Sequence, residues 1–123
     1  MVNKIMDLLN ELDNFTGTAC YYKSTFGKLR LTEGMNYLRN EANCFWLIDI
    51  IESVQHLKRI QINKDFVIWK IEVKDKAFKV TAWADTPYKS EMLYSQEGEY
   101  TNFPLEELEF YQEGDVLLLK SEQ

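Results

Sequence analysis

The chain is poor in residues that crosslink or interrupt a fold: its 123 residues include two cysteines, two prolines and five glycines. Cys20 and Cys44 are too few for a disulfide framework, or for a zinc site made of thiolates alone. No apolar run approaches the roughly 18 residues of a membrane span, and Asp7 comes too early for a secretory signal. We therefore expect a cytoplasmic protein, away from membranes, with a single compact domain over residues 1–123.

Sequence motifs for catalysis are also missing. The patterns G-x-S-x-G, H-E-x-x-H, C-x-x-C and the Walker loop do not occur, and His56 is the one histidine. Cys44 and His56 would lie about 18 Å apart along one helix, too far to form a nucleophile–base pair. Both cysteines are therefore interpreted as small hydrophobic residues. The sequence favours a non-enzymatic protein, and we expect neither a cofactor nor a metal.

Acidic residues outnumber basic ones, and the charges are unevenly distributed along the chain. The net charge is −6, and residues 1–57 contribute −2 of it. Residues 58–80 hold 7 basic and 3 acidic residues, whereas residues 81–123 hold 2 basic and 10 acidic ones. Phosphate binding requires clustered Lys and Arg, so the acidic total makes direct nucleic-acid binding an unfavoured hypothesis. The acidic last third favours a basic partner or simply solubility.

Hydrophobic spacing predicts helices first and strands afterwards. Apolar residues at helical spacing predict helices over Val2–Leu12, from the N-cap Thr32 to about Ala42, and over Cys44–Leu57. Alternation with a period of two predicts a hairpin of strands 66–73 and 77–84. Further predictions are extended segments at 18–23, 92–97 and 116–119, and a helical turn over Leu105–Tyr111. The fold class is α+β, with N-terminal helices packed on a small, mainly antiparallel sheet.

One possible acid–base cluster lies on the predicted helix Cys44–Leu57. Asp49, Glu52 and His56 are three or four residues apart, a spacing that places side chains about 6 Å apart on one helical face. Such a cluster could act as a general base or contribute ligands to a metal. The competing interpretation is the solvated side of an amphipathic helix.

The basic hairpin offers a second possible site, for single-stranded nucleic acid. A basic sheet face with an exposed aromatic residue can neutralise phosphates and stack on bases. The residues in question are Arg59, Lys70, Lys74, Lys79 and Trp83. A solvated hairpin face with a cross-strand Glu72–Lys79 pair would explain the same pattern.

The acidic last third interleaves carboxylates with aromatic residues. Such a surface suits docking on a basic protein or ribonucleoprotein groove. The candidate partner-binding residues are Glu97, Glu99, Tyr100, Phe103, Glu106, Glu107, Glu109, Tyr111 and Glu113.

Three stretches carry a resemblance to a known family: Phe15–Thr18 with Tyr21-Tyr22, Phe45–Ser53, and Tyr100–Leu105. Together they resemble a family of small uncharacterised bacterial proteins, a domain of unknown function often found on plasmids and phages. The family pattern has Asp where this chain has Asn102, so no role for an acid at that position carries over. The resemblance implies a setting among accessory genes, some of which inhibit host defence nucleases, and it implies no catalytic residue.

Three functional hypotheses follow. The leading one is a non-enzymatic protein-binding module, an anti-CRISPR-like inhibitor of a nucleic-acid-targeting defence enzyme encoded by a mobile element or phage. The second is a small hydrolase or metal-dependent enzyme that uses Asp49, Glu52 and His56. The third is a single-stranded nucleic-acid binder that uses the basic hairpin.

Overall fold

The computed structural model describes residues 2–85, 89 and 91–123, with side chains from Asp7 onward. Within this part of the chain, four helices precede five longer strands, with a short strand pair between the first two helices. The helices are α1 (Val2–Asp13), α2 (Glu33–Glu41), α3 (Phe45–Ser53) and α4 (Lys58–Ile62). The strands are β1 (Tyr22–Lys23), β2 (Arg30–Leu31), β3 (Val67–Lys74), β4 (Ala77–Ala84), β5 (Met92–Gly98), β6 (Glu107–Glu113) and β7 (Val116–Leu119).

All described strands belong to one sheet, in the order β1-β2-β7-β6-β3-β4-β5. Neighbouring strands are antiparallel except β2 and β7, which run parallel. The predicted hairpin of β3 and β4 is present, with Glu72 opposite Lys79. The α+β prediction with a mainly antiparallel sheet is therefore confirmed. Among the described residues, no helix is long and apolar enough to cross a membrane.

The helical turn predicted over Leu105–Tyr111 is wrong, because this part of the chain enters strand β6. β6 pairs with β3 on one side and β7 on the other. Phe110 is fully buried, whereas the side chain of Glu113 is exposed at the strand end. Pairing on both sides supplies hydrogen bonds that a short helical turn cannot match, so tertiary context overrides the local preference of this glutamate-rich segment.

The long helix predicted over Cys44–Leu57 is also shorter than expected. α3 ends at Ser53, and a turn separates it from α4. Val54 in the turn and Ile60 in α4 are both buried. A continuous helix would not direct both side chains into the same core, so the chain bends after Ser53.

The core lies between the helices and one face of the sheet. Strand residues Trp69 and Phe110 are fully buried there, together with Leu47 and Ile51 of α3. The alternation of side chains along each strand places these residues on the helix side, which we call the covered face, and sends their neighbours to the opposite face, the open face.

A buried amide pair fixes the end of α3 on the sheet. The Gln112 side chain is fully buried, and its amide and that of Gln55 donate to each other over 2.7 and 3.1 Å. Trp69 Nε1 donates to Gln112 Oε1 over 3.0 Å, and Gln112 Nε2 also donates to the Gly114 carbonyl. These amides all have partners, so the network specifies the packing without leaving a buried polar group unpaired.

The last residues of the described chain pack against the N-terminal end of α2. Glu122 accepts hydrogen bonds from Gly34 N–H at 3.1 Å, Leu119 N–H at 3.0 Å and the Thr32 hydroxyl at 2.5 Å. Thr32 in turn caps the helix by accepting from Met35 N–H. A carboxylate at a helix N-terminus is stabilised by the unpaired N–H groups there.

We expect Gly34→Ala to lower the free energy of unfolding by about 1–2 kcal/mol. A Cβ at this position would lie 2.6 Å from both Glu122 Oε1 and Leu119 Cδ1. The flexible ends of Glu122 and Leu119 must then shift, and the loss of the hydrogen bonds to the Glu122 carboxylate is expected to outweigh the roughly 1 kcal/mol by which alanine favours a helix over glycine. Urea denaturation measures the change, and Gly17→Ala is the control because a Cβ there meets nothing within 4 Å. Equal stability of the two variants would contradict the close approach.

Candidate functional site

Glu52 does not lie on a solvated helix face; its side chain is buried beneath the loop that joins β1 and β2. The residue is 2% exposed. Its carboxylate accepts hydrogen bonds from the Phe26 N–H at 3.0 Å, the Lys28 N–H at 2.8 Å and the Ser24 hydroxyl. Three donors from one loop therefore converge on a carboxylate of α3, which is the arrangement of a structural anchor.

The hydrogen bonds keep this carboxyl group ionised. Burial raises the pKa of Glu52, but the hydrogen bonds from Ser24 and from the Phe26 and Lys28 N–H groups, with the Lys28 charge, lower it further than burial raises it. The net result is a pKa below the ordinary value for a glutamate. A group that is ionised and fully hydrogen-bonded is poorly suited to exchange protons with a substrate near neutral pH.

The structure does not bring Asp49, Glu52 and His56 together as a site. Asp49 accepts a hydrogen bond from Thr25 at 2.6 Å, so it also anchors the loop. His56 is exposed in the turn after α3 and does not continue the helical spacing from Glu52. In the described part of the chain, no group of three or more His, Cys, Asp or Glu residues could hold a metal ion.

The two cysteines lie in different environments. Cys44 is fully buried, and burial raises the pKa of its thiol to about 12, so it is a core residue as expected. Cys20, which is likewise interpreted from the sequence as a small hydrophobic residue, is exposed. Cys20 lies in the segment before β1, and β1 and β2 are too short to enclose an interior of their own. Its Sγ lies 3.5 Å from the Tyr22 hydroxyl.

The basic hairpin and the acidic last third meet on the open face of the sheet. Lys70 lies opposite Glu109 of β6, and Lys79 lies opposite Glu97 of β5. Lys70 Nζ forms salt bridges with Glu72 at 3.8 Å and Glu107 at 3.6 Å. The two surfaces suggested by the charge distribution therefore neutralise one another in part.

The register places Lys70, Lys79 and Trp83 together on the open face, as the sequence predicts. Trp83 is half-buried there and donates from Nε1 to the Thr81 hydroxyl over 2.9 Å. Arg59 lies on α4, and Lys74 lies at the end of β3. These residues do not form one free basic surface with Lys70.

Several of the candidate partner-binding residues are not free surface groups. Phe103 is 5% exposed and belongs to the core, so its assignment to a contact surface is corrected. Tyr111 is half-buried, with its ring centroid 4.8 Å from that of Phe66. Glu109 contacts Lys89 and Lys120. The members that remain exposed are Glu97, Glu99, Tyr100, Glu106, Glu107 and Glu113.

Tyr100 lies at the edge of an apolar pocket of about 380 Å³ on the covered side of the fold. Its walls come from α3, β4 and the segment after β5, and they consist of Trp46, Ile50, Phe78, Tyr100, Thr101 and Asn102. The Trp46 and Phe78 rings are in contact, with centroids 4.8 Å apart. The Tyr100 side chain is 65% exposed.

The Tyr100 segment is fixed on the β3–β4 turn. Thr101 N–H donates to the Lys76 carbonyl over 2.7 Å, and Lys76 Nζ lies 5.9 Å from the Tyr100 ring centroid. Thr101 itself is buried. The pocket wall is therefore preorganised, which reduces the entropy lost on binding.

Trp46, Ile50 and Phe78 are pocket residues that the sequence does not indicate. Trp46 and Ile50 are four residues apart on a helix, a spacing that is equally typical of a core face. Their approach to Tyr100 depends on the tertiary fold. A weak signal was nevertheless present, since two of the three stretches that carry the family resemblance contribute residues to this pocket.

The chain is an α+β protein with an exposed aromatic pocket and with its buried carboxylate committed to the fold. It belongs to the family of unknown function DUF6876, whose sequence profile matches residues 6–123. No curated protein and no solved structure gives a significant match to it.

We expect Glu52→Gln to lower the free energy of unfolding at neutral pH by about 1.5–3 kcal/mol, the usual contribution of hydrogen bonds to a charged group. The amide has one acceptor oxygen in place of two and directs an NH₂ group toward a donor. Urea denaturation measures the loss. The control is Glu113→Gln, because Glu113 is exposed and forms no salt bridge within the described residues.

The effect of Glu52→Gln should also depend on pH. Because the pKa of Glu52 is lowered in the folded state, its contribution is complete above the unfolded-state pKa of about 4.3 and is lost as the pH falls through the folded-state pKa. The stability difference between wild type and variant should therefore stay constant near neutral pH and shrink as the pH falls below about 4.3. A difference that grows on acidification would contradict the anchoring role.

Thiol labelling should separate the two cysteines. In the native protein at about pH 8, Ellman's reagent should react promptly with Cys20, and with Cys44 only after urea is added, because the buried thiol is protonated and inaccessible. Cys20→Ser should abolish the prompt reaction. Two promptly reacting thiols in the native wild type would show that Cys44 is accessible.

Proposed function

We propose that this protein is a non-enzymatic protein-binding module, and that the pocket edged by Tyr100 is its contact surface. The observation that carries the proposal is the exposed aromatic wall formed by Tyr100 against Trp46 and Phe78. Buried aromatic anchors dominate the binding energy of protein interfaces. The groups that could perform chemistry support the same proposal, since Glu52 holds a loop and Cys44 is in the core.

Carboxylates in the segment before Tyr100 favour a basic partner surface. Glu99 directly precedes Tyr100, and Glu97 lies two residues earlier on the open face, opposite Lys79; both are exposed. Neither forms a salt bridge with another residue in the described part of the chain. Complementary charge around an aromatic centre accelerates association and selects the partner. The partner in this proposal is a basic protein or ribonucleoprotein.

Within the same proposal, the partner is a nucleic-acid-targeting defence enzyme of a bacterial host, and the protein is its inhibitor in the cytoplasm. The groove that such an enzyme uses for nucleic acid is basic, so it complements the carboxylates beside Tyr100. The resemblance to a family often found on plasmids and phages supports this choice, because such genes include inhibitors of host defence nucleases.

Affinity purification followed by a binding titration tests the proposal. Tagged wild-type protein should recover a stoichiometric protein or ribonucleoprotein from a bacterial host lysate. With that partner purified, calorimetric titration should show that Tyr100→Ala weakens binding at least about tenfold, as expected for a hot-spot residue. Ile62→Ala is the control, since Ile62 is an apolar residue that is 72% exposed and lies outside the pocket.

The outcomes separate the general proposal from its narrower form. If no stoichiometric partner is recovered, or if Tyr100→Ala binds like wild type, the pocket is not the contact surface. A partner that requires Tyr100 but does not act on nucleic acid would contradict only the inhibitor assignment.

A further inference from the structure

A second surface, apart from the pocket, lies at the other edge of the sheet. It is the β1–β2 hairpin of residues 21–31, and it exposes three aromatic side chains within six residues. Tyr21 is 54% exposed, Tyr22 is 38% exposed and Phe26, in the loop between the strands, is 77% exposed. Tyr22 lies opposite the buried Leu31, on the other side of the strand pair from Lys23 and Arg30. Tyr21 and Phe26 are therefore the two rings available to a ligand, and large apolar side chains on a solvated surface normally occur singly.

The same hairpin carries positive charge. Lys23, Lys28 and Arg30 are all exposed, and residues 21–31 contain no acidic residue. The carboxylates beside the hairpin have partners: Asp49 accepts from Thr25, Glu52 accepts from the loop N–H groups, and Glu33, whose charge acts on Tyr22, accepts from the Ala19 N–H.

The charged side chains at the base of the hairpin leave its excess of positive charge in place. The Arg39 side chain lies below it and donates to the Lys23 carbonyl over 3.1 Å. On the β7 side, Arg30 N–H donates to the Asp115 carbonyl, and the Asp115 carboxylate forms a salt bridge with Lys64. The hairpin is therefore a local basic surface on an acidic protein.

The loop that carries Phe26 is held in one conformation. Gly27 has a φ of +75°, and its N–H donates to the Ser24 carbonyl over 3.0 Å, which closes a tight turn. The Phe26 N–H is bound to Glu52. An exposed ring on a fixed turn loses little conformational entropy when it binds a ligand.

We infer that this hairpin binds single-stranded nucleic acid, with Phe26 and Tyr21 stacking on bases while Lys23, Lys28 and Arg30 contact phosphates. Single-strand sites combine aromatic platforms with cations that follow the backbone. Protein interfaces also contain aromatic residues, but they are depleted in lysine, so the composition favours nucleic acid over a protein partner. Few cations on a chain of net charge −6 make the binding weak and strongly dependent on salt.

Fluorescence anisotropy with a fluorescein-labelled oligothymidylate of about 15 nucleotides, at about 20 mM salt, tests the inference. Wild-type protein should bind, and Phe26→Ala should weaken the binding about tenfold or more, the usual effect of removing one stacking ring. The plot of the logarithm of the binding constant against the logarithm of the salt concentration has a negative slope. Lys23→Gln combined with Lys28→Gln should reduce the magnitude of that slope by about 1.4, which corresponds to the loss of two phosphate contacts.

Matched changes elsewhere provide the controls. Tyr100→Ala removes an exposed ring at the pocket, and Lys74→Gln with Lys76→Gln removes two exposed cations at the β3–β4 turn. Both variants should bind the oligonucleotide within about twofold of wild type. Circular dichroism melting confirms that each variant is folded.

Three results would overturn the inference. They are no binding at low salt, equal losses in the hairpin variants and their controls, and a Phe26→Ala variant that binds like wild type. Binding to poly-glutamate but not to the oligonucleotide would assign the hairpin to an acidic protein and would also overturn it. Since Tyr100 and Phe26 lie on different surfaces, failure here leaves the protein-binding proposal untouched, and the reverse also holds.

Discussion

The buried carboxylate of Glu52 is the interaction that joins the hairpin surface to the helix that also carries part of the pocket wall. An ionised group in the interior is tolerated only when hydrogen bonds replace its water, and the loop between β1 and β2 supplies three of them. Glu52 thereby fixes the hairpin against one side of α3. The other side of the same helix carries Trp46 and Ile50, which form the pocket wall. A single helix of nine residues thus positions two different exposed aromatic sites.

Strand register explains how an unevenly charged chain forms a stable sheet. The basic hairpin and the glutamates of β5 and β6 are distant in sequence, but the order of the strands makes them neighbours. Glu72 and Glu107 are even placed directly opposite each other, and Lys70 bridges both. Like charges in register destabilise a sheet, so this lysine serves the fold and is not available as a free binding group. The net charge of a segment therefore says little about its surface until its sheet partners are known.

Local patterns predicted the elements whose stability is local. The alternation in Val67–Val73 identified β3, and Thr32 marked the start of α2 because the capping bond is made within the helix itself. Tertiary contacts decided the failures. β6 was missed because its two sheet partners, not its own residues, favour the extended form, and Glu52 was placed on a solvated face because its three donors lie 24–28 residues away.

The candidate sites also divide into features that local sequence indicates and features that only tertiary contacts create. The sequence could propose Tyr100 and the acidic residues around it as a contact surface, but it could not show which of the aromatic residues in this segment are exposed. The pocket could not, because Trp46, Phe78 and Tyr100 converge only in the folded sheet. Phe103, two positions before Leu105, is indistinguishable from Tyr100 by type and spacing, and only its burial in the core separates the two.

The central claim is that the buried carboxylate of α3 anchors the hairpin loop in its ionised form. The most direct test is an NMR titration of the Glu52 carboxyl carbon in the folded protein. The account predicts a pKa for Glu52 below the ordinary glutamate value, because its hydrogen bonds stabilise the charged form. A midpoint shifted upward toward neutrality would mean that the carboxyl is poised as an acid or base, and would contradict the account.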